Sequence, residues 1–400
     1  MRTVKLFLAD AYQTEFEGHV LSCTPLGDAW AVVLNQTCFY PASGGQPSDS
    51  GTLGGEPVLD VHAEPDGTIV HLVGAPLSGT VIGRVDWDRR LDHMEQHTGQ
   101  HLLSAAFEHL FGAETLSWHL GQEASTIDVA MDALSPEQVE EVELTCNRLI
   151  RSGLPVRAHL CSPEEAQRFP LRKAPTVSGP VRIVEIEGYD WSPCGGTHLR
   201  NIGELGLLKI KAWERYKRAV RVTFLAGQRA LRDYLGLDRM TRDLARRLSI
   251  GVSELPRWVD RTQEELNSLR KRVRTQQEEL LAIEAERLLA DARPIGPARV
   301  VRQSFGGRPA DEVRLLAAKV AAVPGCIAVF GTRGALPQII LHRAADLRLD
   351  VGLILREVLP IIDGKGGGSP VQAQGGGTQP ERLEEALDAA VARISQALRT

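Results

Sequence analysis

The chain has 400 residues, 43% of them hydrophobic and 24% charged, with a formal net charge of −5. That is enough chain for two or three cores of ordinary globular composition. It excludes a globally basic nucleic-acid binder, so any basic surface must be local. No run of about 18 apolar residues is present to span a membrane, and residues 1–7 lack the apolar core of a signal peptide. The six cysteines, Cys23, Cys38, Cys146, Cys161, Cys194 and Cys326, form no CxxC and no dense framework. This usage fits a reducing compartment, and a cytoplasmic protein is expected.

Residues 1–90 read as short strands joined by turns. Runs at 29–34, 57–61 and 68–73 alternate or are rich in branched residues, and turn signals recur at Gly44-Gly45, Gly54-Gly55, Asp66-Gly67 and Gly79. The rhythm predicts a small β-barrel. Within it, Phe39-Tyr40-Pro41-Ala42-Ser43-Gly44-Gly45-Gln46-Pro47-Ser48-Asp49-Ser50-Gly51 is a hairpin loop by itself, and a backbone cradle for a ligand as the other reading.

Residues 91–226 look mixed α/β. His97-Thr98-Gly99-Gln100-His101 puts two imidazoles on one helix face, within reach of one ion. Cys194-Gly195-Gly196-Thr197-His198 repeats the four-residue step, with two glycines suited to a tight turn. Three nitrogens and one sulfur suit zinc better than calcium, magnesium or manganese. A closed structural site and a catalytic site with an open position are both compatible with this set. Strands are expected at 125–129, 156–160 and 181–186, the last bringing the chain towards Cys194. A capped helix is expected from Ser135 to about Arg151.

Between 207 and 232 stand Lys209, Lys211, Arg215, Lys217, Arg218, Arg221, Arg229 and Arg232, opposed only by Glu214. Such a run either tracks a phosphate backbone or forms a solvated strand face. Residues 227–292 turn charged and helical. A first helix should end near Leu248 and Ser253 should cap a second. In that second helix Val259, Thr262, Leu266, Leu269, Val273, Gln276, Leu280 and Ile283 step by threes and fours, the seam of a coiled coil or helical hairpin. A spacer or oligomerising arm is expected, closed by a linker at 293–297. Residues 298–400 should form a last α/β domain, with a helix at 312–323, strands at 326–330 and 338–341, and a helix from about Asp350. The glycine-rich stretch 364–377 is read as a loop whose amides and Lys365 receive phosphate or sugar groups, or as a tether. It is not a P-loop, because the GxxxxGK[ST] order fails.

The HTGQH and CGGTH boxes and the FYPASGGQPSDSG loop resemble the editing region of alanyl-tRNA synthetases. The stretch 364–377, with Pro380-Glu381-Arg382-Leu383 after it, is similar to their C-terminal domain, which also occurs in DHH-family phosphoesterases. The resemblance covers nearly the whole chain in the family's order, without the large aminoacylation domain that would precede the barrel. The chain is thus identified as a member of the free-standing alanyl-tRNA editing proteins of the long type. The resemblance implies a multidomain α/β (α+β) chain: barrel 1–90, zinc-binding editing core 91–226, coiled-coil helical arm 227–292 and a C-terminal tRNA-binding domain 293–400. It implies zinc on His97, His101, Cys194 and His198, and a pocket wall of Ser117, His119, Thr126 and Asp128. Gly44, Gly45, Gln46 and Asp49 would lie beside the acceptor end of the tRNA. Lys209, Lys211, Arg215, Lys217 and Arg218 are expected on its backbone, and Lys365, Gly366 and Gly367 at its elbow. The implied activity is hydrolysis of mischarged Ser-tRNA(Ala), and of Gly-tRNA(Ala), in trans, with zinc either generating the nucleophile or gripping the substrate. Rival expectations are a deacylase for another ester such as Ser-tRNA(Thr), and a non-catalytic tRNA-binding protein stabilised by zinc. A homodimer through the arm or the C-terminal domain is expected.

Overall fold

The computed structural model describes residues 3–173 and 179–399, so Met1 and Arg2 of the N-terminal stretch lie outside the described residues. The chain divides into two compact units, Met1–Ser249 and Ile250–Thr400. The stretch 227–292 is therefore shared between them. No helix among the described residues is long and apolar enough to cross a membrane, and all six cysteines are free.

The first unit opens with a closed six-stranded antiparallel barrel: β1 (Glu15–Leu26), β2 (Ala29–Leu34), β3 (Gly51–Leu53), β4 (Glu56–Ala63), β5 (Ile69–Val73) and β6 (Thr80–Val85), in the order β1-β2-β5-β4-β3-β6. Alternation does the work expected of it: Val32, Leu34, Phe39, Val61 and Val73 are fully buried in the barrel core. His71 is buried among them, with Nε2 2.8 Å from Thr37 Oγ1 and Nδ1 3.2 Å from Val32 O.

Asp86 ends the barrel and caps the next helix, α1 (Trp87–Phe111), by accepting from the amides of Asp88 and Arg89. This helix is buried from His93 to Phe107, which is why it carries Gly99. A Cβ there would stand 2.7 Å from Ala226 Cβ. On one side of α1 lies the antiparallel sheet of β7 (Thr115–Leu120), β8 (Ser125–Val129) and two later strands. On another lies α2 (Pro136–Ser152), which starts at the expected cap, Ser135, in a capping box with Gln138. Leu103, Phe107, Ile127, Val142 and Phe224 form the core between these layers.

A second sheet orders β9 (Val156–Cys161), β10 (Val181–Ile186) and β11 (Asp190–Pro193), and β11 delivers the chain to Cys194. The remaining strands, β12 (Leu208–Tyr216) and β13 (Ala219–Ala226), complete the first sheet as β12-β13-β8-β7. Helix α3 (Gly227–Leu248) then packs on α1. Gln96 bonds both backbone groups of Ala226, and Glu95 takes the amide of Gln228.

The second unit begins with α4 (Leu255–Ala290). Ser253 does not cap it. Residues 252–254 form a 3-10 turn, and the Glu254 carboxylate takes the Gly251 amide instead. Among the described residues α4 buries Leu281 and Ala285, whereas the apolar residues of the expected seam are exposed, from Leu266 at 41% to Leu280 at 67%. The expected linker at 293–297 is a hairpin, β14 (Arg293–Ile295) against β15 (Ala298–Gly306), turned at Gly296. Helix α5 (Ala310–Ala321), β16 (Cys326–Arg333), β17 (Gln338–Arg343) and α6 (Val351–Val358) follow as expected, with Asp350 capping α6.

The glycine-rich stretch is not a loop. It forms β18 (Lys365–Gly368) and β19 (Gln372–Gly376), the outer strands of a sheet ordered β14-β15-β16-β17-β19-β18. Glycine is a poor strand former, so pattern alone pointed elsewhere. Here it permits close approach, since a Cβ on Gly366 would fall 2.3 Å from Gly375 Cα. Helix α7 (Leu383–Ala397) closes the core with Leu387, Ala390 and Ile394.

Candidate metal centre

The two boxes converge. His97, His101, Cys194 and His198 each offer one ligand atom, and these atoms lie within 4.8 Å of one another. Cys194 Sγ stands 3.4 Å from His97 Nε2 and 3.3 Å from His198 Nε2. The helix supplies two donors four residues apart on its buried face, and the turn after β11 supplies the other two. Gly196 makes the turn fit: a Cβ there would lie 2.2 Å from His97 Cε1. Gly195 meets no such limit, having nothing within 4 Å. Arg182 holds the turn from behind, donating to the carbonyls of Cys194 and Gly196 at 2.9 and 3.0 Å.

Each imidazole is oriented through its far nitrogen. Gln46 Oε1 is 2.8 Å from His97 Nδ1, and Asp190 Oδ2 is 3.1 Å from His101 Nδ1. Thr98 Oγ1 is 3.3 Å from His198 Nδ1. Such contacts fix the tautomer and aim the other nitrogen inward. Burial would push the Cys194 thiol up, but His97 and His198 hold it well below its usual value, in the thiolate form that binds metals. Burial lowers His97 and brings His198 to about 3. At His101 burial is outweighed by hydrogen bonds that the ring donates to Asp190 and Cys194, which raise it to about 9. A metal would displace that proton.

Gln46 thus belongs to the cluster: its Nε2 donates to Thr197 Oγ1 at 2.8 Å, and it is buried. The tight turn at Ser43–Gln46 presents Gly44 to solvent and packs Gly45 against Trp118, 3.0 Å from a built Cβ. Asp49 is elsewhere. It is buried in an ion pair with Arg90, a side chain with no exposed surface, and takes the Tyr40 amide at 2.6 Å. No nucleic acid can reach it there.

Ser117, His119, Thr126 and Asp128 share one sheet face, but it is the face away from the cluster. Trp118, between the first two, packs its ring 4.7 Å from that of His97. Strand alternation turns its neighbours outward. Asp128 is tied to Arg221 at 2.7 Å and to Ser117 at 2.6 Å, and the guanidinium holds its carboxyl below the usual range. The cavity beside the cluster, of about 110 Å³, is lined instead by Gln100, Thr115, Trp118, Arg172 and Ser192. Gln100 Nε2 donates to Ser104 Oγ, and its Oε1 has no hydrogen-bond partner among the described residues. Arg172 bridges Asp190 and Ser192 at 2.9 Å each. The sequence signal for this lining was available: Gln100 is inside HTGQH, and Trp118 marks the inward parity of β7.

Half of the basic run is neutralised. Lys209 pairs with Glu143, Lys211 with Asp233, Arg221 with Asp128 and Arg229 with Asp92. Arg215, Lys217 and Arg218 gather at the tip of the β12–β13 hairpin with no carboxylate partner among the described residues. In the second unit Lys365 and Gly366 are exposed on the edge strand β18 and Gly367 is half-buried.

The chain matches the family model described as threonyl and alanyl tRNA synthetase second additional domain over residues 181–223, which include Cys194 and His198. It matches the DHHA1 domain model over residues 316–396. It is 35% identical over 302 residues to alanyl-tRNA editing protein Aarsd1-B of Xenopus laevis, covering 71% of this chain and 73% of that one. Against Aarsd1 of Mus musculus it is 36% identical over 284 residues, 66% of this chain and 68% of that one. Alanine–tRNA ligase of Methanopyrus kandleri is 31% identical over 410 aligned positions, 95% of this chain but 43% of the ligase.

Proposed function

The chain belongs to the alanyl-tRNA editing protein family, and on that premise we propose that it is a zinc-dependent deacylase of mischarged Ser-tRNA(Ala). The observation that carries this is the convergence of three imidazoles and a thiolate beside a small polar cavity. A tetrahedral zinc with these donors requires ligand–ligand edges of roughly 3.3–3.6 Å, and the Cys194 contacts of 3.3 and 3.4 Å fit. Held by these four side chains, zinc would supply Lewis acidity beside the cavity.

The rest falls to the chain's own residues. Trp118 walls the cavity against bulk water, and the Arg172–Asp190–His101 series keeps its far side rigid. An aminoacyl ester is already activated, so holding its carbonyl and one water in register removes much of the barrier. Selection of serine over alanine cannot rest on size, because the alanyl group is smaller. It rests on the hydroxyl, for which Gln100 Oε1 is the acceptor. A site built around such a bond disfavours the ester lacking it by up to about 10⁴-fold. Arg215, Lys217 and Arg218 would meet the tRNA backbone, as would Lys365 on the second unit.

Incubating the metal-loaded protein with Ser-tRNA(Ala) and Ala-tRNA(Ala) tests this directly. Loss of the seryl ester with the alanyl ester spared is expected. Hydrolysis of Ser-tRNA(Thr) alone would transfer the activity to a different tRNA, and turnover of no ester by folded protein would leave only binding.

A further inference from the structure

The first unit holds a second cleft, of about 760 Å³, within the size range of small-ligand sites. His93 of α1 lines it. This residue is 4% exposed, and its Nδ1 is buried without a hydrogen-bond partner. Such a nitrogen carries a desolvation cost that a ligand bond would relieve. Burial, helped by the Arg89 charge, lowers its pKa to about 4. The ring is therefore neutral and offers a donor and an acceptor rather than a charge.

Two cations flank it. Arg89 gives Nε to the Ser48 carbonyl at 2.9 Å and has no carboxylate partner among the described residues. Arg232 of α3 forms no ion pair among the described residues, although its charge reaches the buried Glu95 carboxyl. Arg229, by contrast, is matched by Asp92 at 2.6 Å. Asp88 and Glu123 complete the rim. A ligand with phosphate for the guanidiniums, sugar hydroxyls for the carboxylates and a base edge for the imidazole is a nucleotide.

The placement ties this cleft to the metal centre. His93 precedes His97 by four residues, so the two share a helix face. Pro47, which lines the cleft, follows Gln46, which holds His97. We propose that the cleft seats the unpaired 3′-terminal nucleotides of the RNA whose ester reaches the metal centre, a backbone phosphate lying between Arg89 and Arg232 and a base edge on His93. This rests on the deacylase reading for the identity of the RNA.

The test compares binding of an uncharged acceptor-stem hairpin RNA with and without its single-stranded 3′ end. The metal-loaded proteins are wild type, the Arg89→Gln/Arg232→Gln pair, Arg232→Gln alone and His93→Phe. Wild type should favour the intact end by about tenfold, and the double variant should lose most of that preference, with unchanged metal content. Arg232→Gln, at an exposed site, should lose part of it without a folding defect. On the serylated hairpin the double variant should raise KM about tenfold while kcat stays within about twofold. No preference in wild type, or the full preference retained in the double variant and in His93→Phe, overturns the proposal. If wild type prefers the intact end, the double variant loses that preference and no ester is hydrolysed, the cleft stands and the deacylase reading falls.

Discussion

Gln46 Oε1, on the glycine-rich loop of the barrel, lies 2.8 Å from His97 Nδ1, on the helix that follows the barrel. Through one amide the barrel sets the tautomer of a metal ligand. Gln46→Ala should weaken metal binding about 10–100-fold, and Gln46→Glu, which keeps an acceptor, should lose less. Competition with a chromophoric chelator measures both, and equal affinity across the three proteins would show that the loop does not orient His97.

The buried Asp49–Arg90 pair joins the same loop to the same helix. Arg90 also gives its terminal nitrogens to the carbonyls of Ala11 and Cys38, at 2.7 and 2.6 Å. Removing the carboxylate leaves a guanidinium uncompensated in the interior, at a cost of about 3–5 kcal/mol. Asp49→Ala should therefore shift the denaturant midpoint of the first unit strongly downward. A loss of RNA affinity with unchanged stability would contradict this structural role.

Burial lowers His71 from 6.5 to about 4. The unfolded chain then binds more protons than the fold between those values. Stability is full above pH 6.5 and falls as pH drops towards 4. The full shift corresponds to at most about 3 kcal/mol. His71→Asn should be less stable at pH 7 yet lose less of its remaining stability between pH 6.5 and 4. Parallel curves for the two proteins would remove His71 as a source of acid sensitivity.

Charge at the hairpin tip should appear in the salt dependence of RNA binding. Replacing Arg215, Lys217 and Arg218 by Gln should reduce the log–log slope by about 2–3, a little under one for each phosphate that is no longer neutralised. Lys209→Gln and Lys211→Gln should change it less, because Glu143 and Asp233 already neutralise those lysines at 2.8 and 2.7 Å. Equal effects from both groups would show that the ion pairs open on binding.

The metal ligands were legible because their geometry is local: a four-residue step on a helix and a CGG turn need no tertiary knowledge. The barrel was legible from turns at regular spacing. The pocket wall was not, because Ser117, His119, Thr126 and Asp128 are chemically attractive, and only the parity set by Trp118 turns them away. Asp49 looked like a loop carboxylate because its partner lies 41 positions away. Gly366 and Gly367 looked like loop residues because strand propensity carries no information about close backbone approach. The α4 seam is evident in sequence and exposed among the described residues.

The most direct measurement of the central claim is the seryl-deacylation rate against bound zinc for wild type and Cys194→Ala, with a circular-dichroism check of fold. Activity and metal should fall together in the folded variant, and the wild type stripped of metal should regain its rate when zinc is restored. A folded, zinc-free Cys194→Ala protein that deacylates at the wild-type rate would contradict that claim.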